Sequence, residues 1–205
     1  YKNKTGDAPC TACGVDKYSV WLGAVSADTC SDCPTNTLAA YASNELADCI
    51  CLSGYIGNNG TACTSCPVGT YKENHGTGVC VPCKVDTYSN VTAANSSDTC
   101  LSCPGNTFAV AASIDLTNCI CKTGYIGNNG TACTACAAGT HKNTTGPGVC
   151  TYCDGGTYST TTAANSSKTC LFCPWNTSYS GVGSNDFTDC VLPSVYIRPE
   201  YTTTK

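Results

Sequence analysis

Apolar positions in this chain follow neither of the two common periods. No stretch keeps the three-to-four-residue spacing of an amphipathic helix, so no helix is expected. The cysteines instead come in closely spaced doublets, separated by segments of 11 to 16 residues rich in Gly, Thr, Asn and Ser. Such segments predict turns and short strands. After most cysteine doublets a small aromatic motif recurs: DKY ending at Tyr18, GTY at Tyr71, DTY at Tyr88 and GTY at Tyr158. The Gly or Asp suits a tight turn, and the ring is expected to lie over a neighbouring disulfide as a miniature core, which is packing rather than ligand binding.

The larger pattern has a period of 70 residues. Cys10, Cys80 and Cys150 are in register, as are Cys33, Cys103 and Cys173, and GYIGNNGTACT at 54–64 returns unchanged at 124–134. Self-similarity of this length marks stacked small units rather than one globular core. The predicted division is the end of a preceding module at 1–9, repeats at 10–79 and 80–149, a truncated repeat at 150–190 and an extended tail at 191–205. The fold class expected is small, disulfide-rich and built mostly of β-hairpins and loops, arrayed as an elongated tandem-repeat rod with no large core.

Composition sharpens this picture. The 205 residues include 21 cysteines, no Met and only five Phe and Trp together. That is the density of a disulfide scaffold, in which covalent staples replace burial. Thiols this dense persist as disulfides only in an oxidising space, so an extracellular or cell-surface location is expected. Eight N-x-S/T sequons agree with that: Asn3, Asn59, Asn90, Asn95, Asn129, Asn143, Asn165 and Asn176. N-linked glycans are therefore expected, and no other cofactor. Three pairs of sequons fall in register with the repeat: Asn59 with Asn129, Asn95 with Asn165, and Asn3 with Asn143.

The net charge of −4 says little, but a single arginine, Arg198, and the lack of a basic stripe argue against a nucleic-acid partner. No apolar run approaches membrane-spanning length. The start lacks the pattern of a signal peptide, as expected of a mature or internal segment.

Ten C-x-x-C or C-x-C doublets account for most cysteines, and Cys190 stands where an eleventh doublet would begin, with Leu192 in place of its second cysteine. The run CICLSGYIG at 49–57, and CICKTGYIG at 119–127, resembles the second half of an EGF-like domain. Extended through CTSCPVGTY, it is similar to a laminin-type EGF module running into ephrin-receptor-like cysteine-rich repeats. TNF-receptor modules share the C-x-x-G-x-Y loop but lack the C-x-C step. The resemblance covers Cys10 to Cys190.

The resemblance implies a pairing in which the second member of each doublet bonds the first member of the next. That gives Cys13–Cys30, Cys33–Cys49, Cys51–Cys63, Cys66–Cys80, Cys83–Cys100, Cys103–Cys119, Cys121–Cys133, Cys136–Cys150, Cys153–Cys170 and Cys173–Cys190, and leaves Cys10 unpaired within the chain. Tyr1, Lys2 and Cys10 align with Tyr71, Lys72 and Cys80, so a partner for Cys10 is expected upstream of Tyr1. A crossed pairing of neighbouring doublets, with Cys10–Cys30 and Cys13–Cys33, would orphan Cys190 instead, and sequence alone leaves it open.

Other chemistries have weaker footing. Four-cysteine zinc sites use C-x-x-C spacing, but sequons would be wasted in the compartments where such sites abound. A thioredoxin-like redox motif needs a βαβ context. His75 and His141 are the only histidines, and His141 occupies the aromatic slot of Tyr71, so catalysis is not expected. Asp48 and Asn118 precede the C-x-C doublets where calcium-binding EGF modules carry a ligand, but the other ligands are missing.

The expected role is an extracellular structural glycoprotein, the repeat subunit of a surface filament or coat, partnered by copies of itself. Similar arrays occur in protist and algal surface glycoproteins such as flagellar-hair proteins and ciliate immobilisation antigens. The alternative is a ligand-binding or adhesive receptor ectodomain, or an antigenic coat. One departure from the repeat bears on this. SVWLGAVSA at 19–27 stands where the second repeat has SNVTAANSS, removing two sequons and adding Trp21, Leu22 and Val25, a candidate contact patch. Val195, Tyr196 and Ile197 in the cysteine-free tail form a candidate partner strand.

Overall fold

The computed structural model describes residues 1–7, 9–175, 177 and 179–192. Among them are eighteen two-residue strands, paired two by two, and six three-residue 3₁₀ turns, but no α-helix. Each hairpin is built the same way. The first strand starts four residues after the second cysteine of a doublet, and the second strand lies inside or beside the next doublet. Thus Lys17–Tyr18 pairs antiparallel with Ser31–Asp32, Tyr55–Ile56 with Thr64–Ser65, and Thr157–Tyr158 with Leu171–Phe172. A hairpin this short is not stable by itself. The disulfides hold it closed.

All ten disulfides follow the sequential rule, from Cys13–Cys30 to Cys173–Cys190, with Cys10 free and exposed. Each closes a loop of 12 to 17 residues. In the chain-entropy account each contributes about 3 kcal/mol by restricting the unfolded chain. The buried apolar residues are the cysteines and a few alanines: Cys49, Cys51, Cys66 and Cys83 are fully enclosed, and Ala39, Ala94, Ala109 and Ala164 nearly so. Large apolar side chains take almost no part.

The turn of each hairpin explains the recurring G-T-Y and D-T-Y. The residue before the first strand of each hairpin, a Thr in six of the nine, has a positive φ: Asp16 62°, Asn36 62°, Gly54 81°, Gly69 77°, Asp86 64°, Asn106 63°, Gly124 82°, Gly139 79° and Gly156 80°. Gly, Asn and Asp are the residues that tolerate this conformation. The Thr then closes the turn with its hydroxyl, as Thr70 does to the Pro67 carbonyl at 2.7 Å and Thr157 to that of Asp154 at 2.6 Å.

The same residue joins one hairpin to the next. Gly54 donates its N–H to the Lys72 carbonyl and accepts from Cys66 N–H, both at 2.8 Å; Gly124 does so with Lys142 and Cys136 at the same distances. At Gly54 a Cβ would lie 2.2 Å from the Ala93 carbonyl oxygen, and at Gly124 2.1 Å from that of Ala163. Glycine there is required by the neighbouring backbone as well as by φ. The chain forms two compact units, one of residues Tyr1–Cys103 with Phe108–Cys119 and the other of Pro104–Thr107 with Ile120–Lys205.

Candidate functional site

Seven of the eight sequon asparagines are described, and all seven are exposed: Asn3, Asn59, Asn90, Asn95, Asn129, Asn143 and Asn165. Asn176 lies outside the described residues. Asn59 and Asn129 occupy matching turns, in which Thr61 and Thr131 donate to the Asn58 and Asn128 carbonyls at 2.7 and 2.8 Å.

Residues weighed above for metal or acid–base chemistry have other partners in the fold. Asp48 Oδ2 accepts from the N–H groups of Asn44 and Glu45 at 2.9 and 3.1 Å, and Asn118 Oδ1 from those of Ile114 and Asp115 at 3.0 and 3.1 Å. Both close a capping box on a 3₁₀ turn, and that explains their place before the C-x-C doublets. His75 is exposed, and its Nδ1 accepts from Ser53 N–H at 3.0 Å. His141 is half-buried, with Nδ1 3.8 Å from Cys170 Sγ. His141, Cys153 and Cys170 offer ligand atoms within 4.8 Å of one another, but both sulfurs are joined in a disulfide and have no thiolate to give a metal.

Two lysines are nearly enclosed, a feature that their polar context in the sequence did not signal. Lys142 Nζ donates to the Thr144 and Gly146 carbonyls, both at 2.8 Å, and Lys72 Nζ to the Asn74 carbonyl at 2.6 Å; Lys2 bonds the Gly6 carbonyl in the same way. Desolvation pushes the Lys72 and Lys142 ammonium groups below the usual lysine range. The stems lie against Gly78 and Gly148, where a Cβ would come within 3.2 and 3.4 Å of the lysine Cε. Each lysine is thus the filling of its own loop. The motif Y/H-K followed by G-x-G was the available sequence signal.

Two surfaces stand out. The first is the loop after Lys17–Tyr18. Trp21 is 70% exposed, Leu22 100% and Val25 72%. Trp21 does not fold back onto Cys13–Cys30. With Tyr1 to Gly6 and Cys10 it lines a groove of about 690 Å³, and the sequon residue Asn3 is part of that lining. The Ser19 hydroxyl beneath this loop has no partner, whereas Ser89 and Ser159 accept from Val91 and Thr161 N–H at 3.4 Å. Val195, Tyr196 and Ile197 lie outside the described residues.

The second surface belongs to the truncated third repeat. Tyr152 is 63% exposed, Phe172 86% and Trp175 fully exposed. The second repeat has Pro82, Ser102 and Gly105 at these places, and the first has Ala12, Asp32 and Thr35. Tyr152 and Phe172 line a groove of about 730 Å³ with His141, Asp154, Lys168 and the Cys153–Cys170 pair. A Cβ at Gly183 would lie 2.6 Å from the Tyr152 ring, so the glycine that replaces Ala112 makes room for the aromatic that replaces Pro82.

Comparison with known proteins places this architecture among receptor-like extracellular repeats. Residues 54–100 match the family described as tyrosine-protein kinase ephrin type A/B receptor-like. A 49-residue stretch is 37% identical to ephrin type-B receptor 1 of Gallus gallus, covering 24% of this chain and 5% of that protein. The matched segment 54–100 contains the hairpins closed by Cys66–Cys80 and Cys83–Cys100. The ten disulfides in tandem hairpin units fit cysteine-rich repeats of this type, and both findings are consistent with an extracellular or cell-surface location. Among the described residues no helix is long and apolar enough to cross a membrane.

Proposed function

We propose that this chain is a repeat segment of an extracellular structural glycoprotein that assembles with copies of itself into a surface filament or coat. The observation that carries the reading is the first-repeat patch. Trp21, Leu22 and Val25 project into solvent at the position where the second repeat keeps the exposed sequons Asn90 and Asn95. A glycan blocks protein approach, so exchanging sequons for Trp and Leu in one loop is the change that a contact requires. Head-to-tail contacts of this kind propagate as an open helix when their rotation does not close. Independently stapled loops suit such a role, because stability is local and does not depend on array length. N-linked glycans on the exposed sequons keep the remaining surface from associating.

Asn3 bears on the test, because a glycan there shares the groove with Trp21. Electron micrographs of the purified protein are expected to show fibres. Trp21→Asn combined with Val25→Thr should abolish them while peptide mapping shows the ten disulfides intact, and Asn3→Gln should leave or strengthen them. Fibres that persist unchanged in the double variant refute the contact. The groove beside Tyr152 and Phe172 favours a second reading, a ligand-binding or adhesive receptor ectodomain. A monomeric protein that forms no fibres supports it.

A further inference from the structure

The internal repeat supplies a control for one disulfide. Cys83–Cys100 in the second repeat and Cys153–Cys170 in the third close equivalent loops of equal separation, 17 residues. Their surroundings differ. Tyr71 lines the groove beside Cys100, and His141 takes its place beside Cys170, with Nδ1 3.8 Å from Sγ. Gly155 replaces Val85. The groove over Cys83–Cys100 is about 240 Å³ and reaches only Cys100; the one over Cys153–Cys170 is about 730 Å³ and is lined by both cysteines. Wider access and an imidazole neighbour therefore coincide at Cys153–Cys170 and not at its second-repeat counterpart.

We propose that Cys153–Cys170 is a thiol-exchange site, which a small-molecule thiol opens faster than its second-repeat counterpart Cys83–Cys100, with His141 assisting. The half-exposed Cys170 Sγ is the point of attack, since Cys153 is buried. A thiolate forms a bond to Cys170 Sγ, the Cys153–Cys170 bond breaks, and Cys153 leaves as a thiolate that takes a proton. A second thiolate attacks the outer sulfur of the mixed disulfide and expels Cys170. The sum is two thiols oxidised to one small-molecule disulfide and one protein disulfide reduced, the two thiol protons ending on Cys153 and on Cys170 or its neighbour His141. His141 stands within 4.8 Å of both sulfurs, so its imidazolium assists the departure of Cys153 in the first step and of Cys170 in the second. A cation beside a sulfur lowers its thiol pKa, and a thiol of lower pKa leaves faster. Tyr71 offers no such charge to Cys100; the cation lining that groove is Lys84, which stands where the third repeat has Asp154. The other charged groups lining the groove are Lys168 and Asp154, of opposite sign.

The test uses the full oxidised chain and a monothiol reductant in limiting amount. Freed cysteines are alkylated at successive times and located by peptide mapping. Cys153 and Cys170 are expected to appear about 10-fold faster than Cys83 and Cys100 at neutral pH. His141→Tyr should lower the third-repeat rate toward that of the second, leaving the part of the difference that wider access supplies. Tyr71→His should raise the Cys83–Cys100 rate, and this gain survives any loss of folding by the first variant. Equal rates in the unaltered chain, or a third-repeat rate unchanged in His141→Tyr, overturn the proposal.

Discussion

Replacing Gly124 by Ala probes the joint on which the whole array depends. Two costs follow from the structure. The residue sits at φ 82°, where an L side chain costs about 1–2 kcal/mol. Its Cβ would also lie 2.1 Å from the Ala163 carbonyl oxygen and 2.7 Å from the carbonyl carbon, and backbone cannot swing aside as a side chain can. Forcing a methyl into such a contact costs about 1–3 kcal/mol more. The sum of roughly 2–5 kcal/mol falls on a local unit, because stapled loops open one by one rather than all together. Hydrogen exchange is the suitable assay. The N–H groups of Gly124, Cys136 and Ala163, bonded at 2.8 Å to Lys142, Gly124 and Cys136, should lose protection on the order of 30- to 5,000-fold, while the matching amides of Gly54, Cys66 and Ala93 keep theirs. Asp16→Ala is the control. Asp16 has φ 62° and already carries a Cβ, so that variant should change protection by less than about 10-fold. Unchanged protection in Gly124→Ala, or an equal loss in Asp16→Ala, would refute the steric argument.

Two further outcomes follow from the structure. Lys142→Ala removes the ammonium that bonds the Thr144 and Gly146 carbonyls and should cost the loop about 1–3 kcal/mol, read as faster exchange of Gly146 N–H, which bonds the Cys121 carbonyl at 2.8 Å. The Asp115 and Asp186 carboxylates are held below the ordinary aspartate value by backbone and then side-chain hydrogen bonds from Thr117 and Thr188. Because their folded-state values are depressed, their stabilising contribution is present above the unfolded value near 3.8 and is lost as pH falls through the folded value; NMR titration should place both below 3.8, and Asp186→Asn should flatten that part of the pH profile.

The resemblance carried by C-x-x-G-x-Y already implied a sequential pairing, and the structure has that pairing at all ten bonds. The turn residue and its Thr were likewise legible, because a two-residue strand stapled by a disulfide is a local object and its requirements are written within about fifteen residues. Exposure of the sequons was expected on the same ground. The contents of the third-repeat groove were not legible. Tyr152, Phe172, Trp175 and Gly183 lie in separate loops, and nothing local says that the aromatic at 152 and the glycine at 183 meet. The buried lysines were missed for a related reason: Lys72 and Lys142 read as ordinary polar neighbours of an aromatic, and only loop closure turns carbonyls toward them.

Read alone, the sequence determined how many loops there are, where each turns and which residues can occupy the turn, since those depend on φ preferences and loop closure between near neighbours. Only the tertiary structure decided which turn residue must be glycine, because that is set by a carbonyl from the next hairpin, as Ala163 sets it for Gly124. The slot that His141 shares with Tyr71 already implied a disulfide beside its ring; the tertiary structure decided which sulfur it is, with Nδ1 3.8 Å from Cys170 Sγ, because contacts between successive hairpins are set by how their backbones stack.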